Sequence, residues 1–165
     1  MAHDAGTDVA PIRLATVADA ATIGRLCADL GAELGNPSLD PVTLADRAAY
    51  LMERQLTTFF VAGDPAAGLA QLRLRPSIWT GGADAYLENL YVAVVARRRG
   101  FGTRLLSAAV EYARESGALR VEIATNEADA AAARLYGAAG FASWHPRSES
   151  RILLYVRRLE AESAD

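Results

Sequence analysis

At 165 residues the chain is long enough to bury a sizeable core and short enough to form one domain. A composition of 52% hydrophobic and 22% charged residues is that of a globular protein, not of a disordered tail or a membrane span. The formal net charge of -3 argues against a general nucleic-acid binder, although all 17 basic residues are arginine.

Residues 1–10 are small and polar and are expected to form a disordered lead, with one folded domain over 11–159 and a tail over 160–165. Ile12-Arg13-Leu14 reads as a short first strand. Asp19 can cap a helix running to about Leu34, with Ile23, Leu26, Cys27 and Leu30 on its buried face. Cys27 on that stripe is a core thiol rather than a nucleophile, because no histidine lies near it. Being the lone cysteine, it excludes an internal disulfide and fits a reducing, cytoplasmic setting. Gly35 to Ser38 read as a loop. Asp40-Pro41 then reads as N-cap and first residue of a second helix, with Leu44, Ala48, Leu51 and Met52 inward and an end near Arg54.

Residues 57–62 form a second strand, Gly63-Asp64-Pro65 a turn, and residues 68–74 a third strand with Leu72 and Leu74 on one face. Gly81-Gly82 is another turn. Residues 86–94 form the fourth strand, which feeds Arg97-Arg98-Arg99-Gly100-Phe101-Gly102-Thr103. A third helix follows to Gly117, with Leu105, Leu106, Ala109, Val110 and Ala113 at i, i+3, i+4 spacing. Residues 121–125 are a fifth strand, parallel to the fourth if the helix between them crosses over right-handed. Residues 129–139 are an alanine-rich helix stopped by Gly140. Residues 141–145 and 152–158 are expected to close the sheet as an antiparallel pair. The fold class is therefore α+β, with a mixed, mostly antiparallel sheet and helices on both faces.

The turn between the fourth strand and the third helix has the physics of an anion site. The first helical N–H groups lack internal partners, and the helix dipole adds about half a positive charge there. Gly100 and Gly102 carry no Cβ, so an anion can approach the backbone, and a diphosphate suits a run of amides best. No lysine follows as a Walker loop requires, and Leu105 stands where a dinucleotide-binding turn needs its third glycine.

What remains, Arg97-x-x-Gly100-x-Gly102, resembles the pyrophosphate loop of the GNAT superfamily of acyl-CoA-dependent N-acetyltransferases. Two more pieces appear in order. The strand before it reads Tyr86-Leu87-Glu88-Asn89-Leu90-Tyr91-Val92, and the later helix reads Asp129-x-x-Ala132-x-x-Leu135-Tyr136-x-x-x-Gly140-Phe141. With these pieces in order, the resemblance covers the chain from about Ile12 to Arg158. Trp79-Thr80-Gly81 with the same strand is similar, more narrowly, to the spermidine/spermine and diamine acetyltransferases. There the strand usually carries a second acid where Asn89 stands, which weakens the case for a polycationic acceptor.

The resemblance implies a V-shaped splay between the fourth and fifth strands that receives acetyl-CoA as co-substrate. Leu90, Tyr91 and Val92 would contribute backbone to the pantetheine. Arg97, Arg98, Arg99, Gly100, Phe101, Gly102 and Thr103 would hold the diphosphate. Asp129 fills a position usually held by asparagine. A carboxylate can only accept hydrogen bonds, so Asp129 is expected to cap the helix while Asn126 contacts the cofactor. At pH 7 roughly one alkylammonium in a thousand is the free amine. Glu88 is the candidate base, with a substrate-binding charge or an ion-pair partner as its alternatives. Tyr136 is the candidate acid for the departing CoA sulfur, with a core aromatic as its alternative.

The expected activity is direct acetyl transfer to a primary amine of a small molecule in a ternary complex. Alternatives are a protein N-terminal or lysine acetyltransferase and a non-catalytic acyl-CoA-binding regulatory module. No metal is expected, since His3 and His145 stand without ligand-spaced neighbours. No nucleic-acid or membrane partner is expected, and a homodimer stays open.

Overall fold

The computed structural model describes residues 11–35, 39–79, 81–145 and 150–156. The expectations for residues 1–10, 36–38 and 160–165 lie outside these. The chain forms two compact units, one ending at Ile123 and one beginning at Ala124.

The first unit is built on a sheet of β1 (Ile12–Leu14), β2 (Thr58–Gly63), β3 (Ala66–Pro76), β4 (Ala83–Val92) and β5 (Ala118–Ile123), ordered as in the chain. The first four strands run antiparallel, and β4 and β5 pair in parallel. A parallel neighbour needs a crossover, and α3 (Phe101–Glu115) supplies it. Two further helices, α1 (Ala20–Glu33) and α2 (Pro41–Glu53), precede β2.

Strand alternation puts helices on both faces. Phe59 and Val61 of β2 cluster with Ile23 of α1 and Ala48 of α2. Phe60, between them, points the other way and meets Tyr112 of α3 edge-on, ring centres 5.6 Å apart. On the same side Leu105 and Leu106 of α3 are fully buried, each contributing about 1.5–3 kcal/mol of burial free energy. The expected inward stripe of this helix is observed at Leu105, Leu106, Ala109 and Ala113, with Val110 half-buried.

Helices α1 and α2 pack closely because Gly24 has no side chain. A Cβ there would lie 2.3 Å from the Pro41 carbonyl oxygen and 2.7 Å from the Ala45 nitrogen. Asp40 caps α2 as expected, accepting from the Val42 and Thr43 amides at 3.0 Å each, with Pro41 in the first helical position. Asp19 behaves differently. It ends a single 3-10 turn (Val17–Asp19), and its carboxylate turns back to the Thr16 amide at 2.8 Å instead of capping α1. It also takes both guanidinium nitrogens of Arg13, at 2.7 and 2.8 Å. The Arg13 hydrogen bonds are the main reason its pKa falls to about 2.

Several strand limits differ from the sequence expectation. β3 extends to Pro76 and β4 begins at Ala83, because the hairpin continues outward through Arg73, Arg75 and Asp84. Asp84 is 3% exposed and is tolerated because Arg120 of β5 pairs with it at 2.7 Å. Leu74 shares a face with Leu72 but is 37% exposed, since it lies in this outer part. β4 ends at Val92, not Val94, because Val94–Ala96 coil into a 3-10 turn. β5 starts at Ala118, directly after Gly117 ends α3 with φ 81°, and stops at Ile123, not Thr125.

The second unit holds α4 (Ala130–Ala138), β6 (Trp144–His145) and β7 (Ser150–Arg151). The expectation that residues 141–145 and 152–158 close the sheet is corrected. Among the described residues β6 and β7 pair only with each other, through Trp144–Arg151 and His145–Ser150. After the Ile152 amide donates to the Ser143 carbonyl at 2.8 Å the ladder ends, so residues 152–156 are not strand.

Candidate active site

The site begins with an irregularity in β4. Gln71 of β3 is opposite Asn89 while Leu72 is opposite Leu87, so Glu88 is an extra residue in a β-bulge. Regular alternation would send Glu88 and Asn89 to opposite faces. The bulge brings both to Gln71. Its Nε2 donates to Glu88 Oε2 at 2.8 Å, and its Oε1 accepts from Asn89 Nδ2 at 2.6 Å. Arg73 forms an ion pair with the other Glu88 oxygen. Each carboxylate oxygen thus has one donor and keeps a lone pair for another.

Beyond the bulge, β4 is paired among the described residues on one edge only. The β4–β5 ladder stops at Leu87–Ile123, where β5 itself ends, and residues 88–92 have no described strand beside them on that side. The Ala93 amide donates toward β3, to the Ala67 carbonyl, at 2.8 Å. Backbone groups alternate between edges, so those of Tyr91 also point to β3 while those of Leu90 and Val92 point to the free edge. The Val92 carbonyl is already taken by Arg97 Nε at 2.9 Å. The Leu90 N–H and C=O and the Val92 N–H remain. Of the three backbones expected at the cofactor, that of Tyr91 faces β3. Its side chain is buried with Leu26 and Leu69, and its hydroxyl donates to Glu33 at 2.9 Å. Burial, then Glu33, pushes its pKa up to about 12.

The basic turn separates charge from backbone. The Arg97 guanidinium reaches α1, pairing with Glu33 at 2.5 Å, and packs over the Tyr91 ring at 5.8 Å. Arg98 has φ 65° and Gly100 φ 80°, both left-handed, with Arg99 between them. Such a backbone gathers successive N–H groups into a concavity. The first α3 hydrogen bond runs from the Arg104 amide to the Gly100 carbonyl at 3.1 Å, so the amides of Phe101, Gly102 and Thr103 are the helix's unpaired donors. A Cβ at Gly100 would meet nothing within 4 Å, so space lies open above the turn. The Phe101 side chain is buried, under the Arg99 guanidinium at 5.8 Å, and contributes to the core rather than to the opening.

On the α1–α2 side of the sheet lies a cavity of about 460 Å³, with Gln71 and Asn89 in its polar wall. Cys27 lines it. Burial pushes this thiol up to about 11, so it is protonated at neutral pH, as suits a core thiol.

In the second unit Asp129 caps α4, its carboxylate accepting from the Ala132 amide at 2.9 Å. Asn126 Oδ1 accepts from the Asp129 amide at 3.0 Å, which leaves its side-chain NH₂ as donor. Tyr136 packs against Phe141, ring centres 6.1 Å apart, and its hydroxyl bonds to no described residue. Burial, with Asp129 second, raises its pKa to about 12, so it is a neutral phenol near pH 7. Among the described residues no three His, Cys, Asp or Glu side chains gather as a metal site, and no helix is long and apolar enough to cross a membrane.

The family model of the acetyltransferase (GNAT) family matches residues 28–141. The chain belongs to this family. Aminoglycoside N(6')-acetyltransferase type 1 of Serratia marcescens is 33% identical over 75 residues, 46% of this chain and 48% of that one. The match thus spans about half the length of that relative. A crystal structure from Arthrobacter sp. FB24, described as a "putative acetyltransferase", has 36% identity and a TM-score of 0.85 over 94% of this chain and all of that one. An aminoglycoside acetyltransferase from an uncultured soil metagenomic sample, solved with sisomicin, shares the fold at a TM-score of 0.73 and 18% identity, over 93% of this chain and 98% of that one.

In this GNAT protein, sequence reasoning missed Gln71, Arg73 and Glu33, which hold Glu88, Asn89 and Arg97 in place. Gln71 did leave a signal, being one polar residue inside the apolar run Leu69-Ala70-Gln71-Leu72. The bulge left none, because an extra residue shows only when two strands are laid together.

Proposed function

We propose that the protein is an acetyl-CoA-dependent N-acetyltransferase that acts on a primary amine of a small molecule by direct transfer. The observation that carries this is the free edge of β4 leading into the open α3 turn, on a chain of this family. The Leu90 and Val92 backbones fit an extended amide-bearing arm, which would add to the sheet edge as a strand does. The amides of Phe101, Gly102 and Thr103, with the helix dipole, fit a diphosphate. Arg97 then shapes the turn through Val92 and Glu33, while Arg98 and Arg99 supply charge.

Acetyl-CoA supplies an activated acyl group as a thioester. The amine nitrogen attacks its carbonyl carbon, a C–N bond forms and the C–S bond breaks. An alkylammonium enters with one proton more than the reactive amine, and Glu88 takes it, directly or through water, at a carboxylate lone pair left open by Gln71 and Arg73. Tyr136 donates its O–H to the departing sulfur. A thiol's pKa is about 8.5, so a phenol near 12 does not surrender its proton outright. It stabilises the developing thiolate by a hydrogen bond while solvent supplies the proton. The products are the amide, free CoA thiol and one released proton.

Thiol release from acetyl-CoA with a panel of primary amines tests the proposal. Amine-dependent release is expected. Acetyl-CoA binding without release for any amine would favour the regulatory module, and no acetyl-CoA binding would refute the reading.

A further inference from the structure

The cavity beneath α1 and α2 has a charge pattern that selects an acceptor. This inference rests on the acetyltransferase reading above and narrows its substrate class. At about 460 Å³ the cavity suits a small molecule. Its walls are largely aliphatic and aromatic, from Ile23, Leu30, Leu44, Leu51 and Phe59. Gln71 and Asn89 give it one neutral polar wall, and their amides are paired with each other. Among the described residues no carboxylate lines it. The acid next to that wall, Glu88, is ion-paired with Arg73. Arg47 of α2 is the one charged side chain among the lining residues; it is exposed and bonds to no described residue.

We infer that the acceptor is a monoamine with an apolar body and a carboxylate, the body filling the cavity and the carboxylate pairing with Arg47. An Arg guanidinium is a fork of donors shaped for a carboxylate, and that of Arg47 is paired with no described residue. A polycation fits badly. Each further ammonium would lose water in a cavity whose described lining carries no charge but that of Arg47 and offers no acid to replace it. The family relatives named for aminoglycosides act on molecules with several amines, so the acceptor of this chain differs from theirs in charge.

The test compares leucine, phenylalanine and 6-aminohexanoate with the same amines capped as primary amides, and with spermidine and sisomicin. Thiol release gives kcat/KM for each, on wild type and on Arg47→Gln and Arg47→Glu. At least one carboxylate-bearing amine should exceed its amide, spermidine and sisomicin. Its carboxylate-to-amide ratio should fall about tenfold or more in Arg47→Gln and further in Arg47→Glu, the loss of one charge-assisted contact. The ratio is internal, so a partly unfolded variant does not mimic the result. Preference for spermidine or sisomicin would overturn the inference, and so would a ratio unchanged by Arg47→Glu. Turnover of amines outside this class with none of the carboxylate-bearing amines turned over would overturn the acceptor class alone, and acetyl-CoA binding with no turnover of any amine would overturn it together with the enzymatic reading, in favour of the regulatory module. Absence of acetyl-CoA binding, read by calorimetry, would instead overturn the acetyltransferase reading beneath it.

Discussion

The two sides of the β4 strand are built from different materials. Its free edge and the turn that follows offer backbone: the groups of Leu90 and Val92, then the unpaired amides at the start of α3. The α1–α2 side offers side chains: apolar residues from two helices, the Gln71–Asn89 pair, and Arg47. A backbone site depends on conformation, so it is carried by glycines at particular positions and tolerates change elsewhere. A side-chain site can be rewritten residue by residue. On this account the first side reads a ligand common to a family, and the second reads what is particular to one member.

Substitutions can break this division, and the largest effect is expected at Tyr136. Tyr136→Phe removes one hydroxyl that bonds to no described residue. A donor to a developing charge is typically worth about 10²–10³-fold in rate. Turnover should fall by that factor with acetyl-CoA affinity and melting temperature nearly unchanged. A folded variant turning over within about threefold of wild type, against that expectation, would make Tyr136 only a partner for Phe141.

Glu88 sits where the bulge turns it, with Asn89, to Gln71, and is proposed to take the amine's proton. Glu88→Gln should cost turnover most near neutral pH, by about 10²-fold, and less as rising pH makes free amine abundant. A deficit constant across the pH profile would mean that Glu88 orients the amine without taking its proton.

Gly24 separates the two sides by a different route. In Gly24→Ala the new Cβ would meet Pro41 and Ala45 backbone at 2.3 and 2.7 Å, so α1 and α2 must move apart. The expected cost is about 1–3 kcal/mol by denaturant melt. KM for the amine should rise, while acetyl-CoA affinity stays close to wild type. Equal loss of both would show that the two sides are not independent.

The smallest effect is electrostatic. Arg13 holds Asp19 at a pKa of about 2, below the unfolded value of 3.8. A depressed acid stabilises above its unfolded pKa and loses that contribution as pH falls through the folded one. Allowing for exposure and screening, Asp19→Asn should cost about 1 kcal/mol at pH 7. The difference should shrink on acidification from about pH 5 and vanish at about pH 1, below both pKa values. A difference that persists undiminished at about pH 1, against that expectation, would assign the effect to packing.

The same division explains what was legible in the sequence. The α3 stripe and the Asp40-Pro41 cap are local patterns, and both are observed. Gly100 announced itself by residue type, and its φ of 80° is one that few other residues adopt. What could not be read depends on pairs distant in sequence. Asp84 sits in a strand because Arg120 neutralises it, and Arg97 points away from the turn because Glu33 holds it. The Glu88 bulge exists only in the register between β3 and β4. Arg47 gave no sequence signal at all, since its meaning comes from the uncharged walls around it.

The central claim is that the α3 turn binds through its backbone. Calorimetric titration of acetyl-CoA into wild type, Gly102→Val and an Arg98→Ala/Arg99→Ala double variant tests it directly. Gly102→Val, folded by circular dichroism, should lose about 100-fold or more in affinity, because a branched side chain crowds amides that carry several charge-assisted hydrogen bonds. The double variant should lose about tenfold at most and should approach wild type at high salt, where exposed charges are screened. Undiminished affinity in folded Gly102→Val, or a greater loss in the arginine variant, would contradict the account.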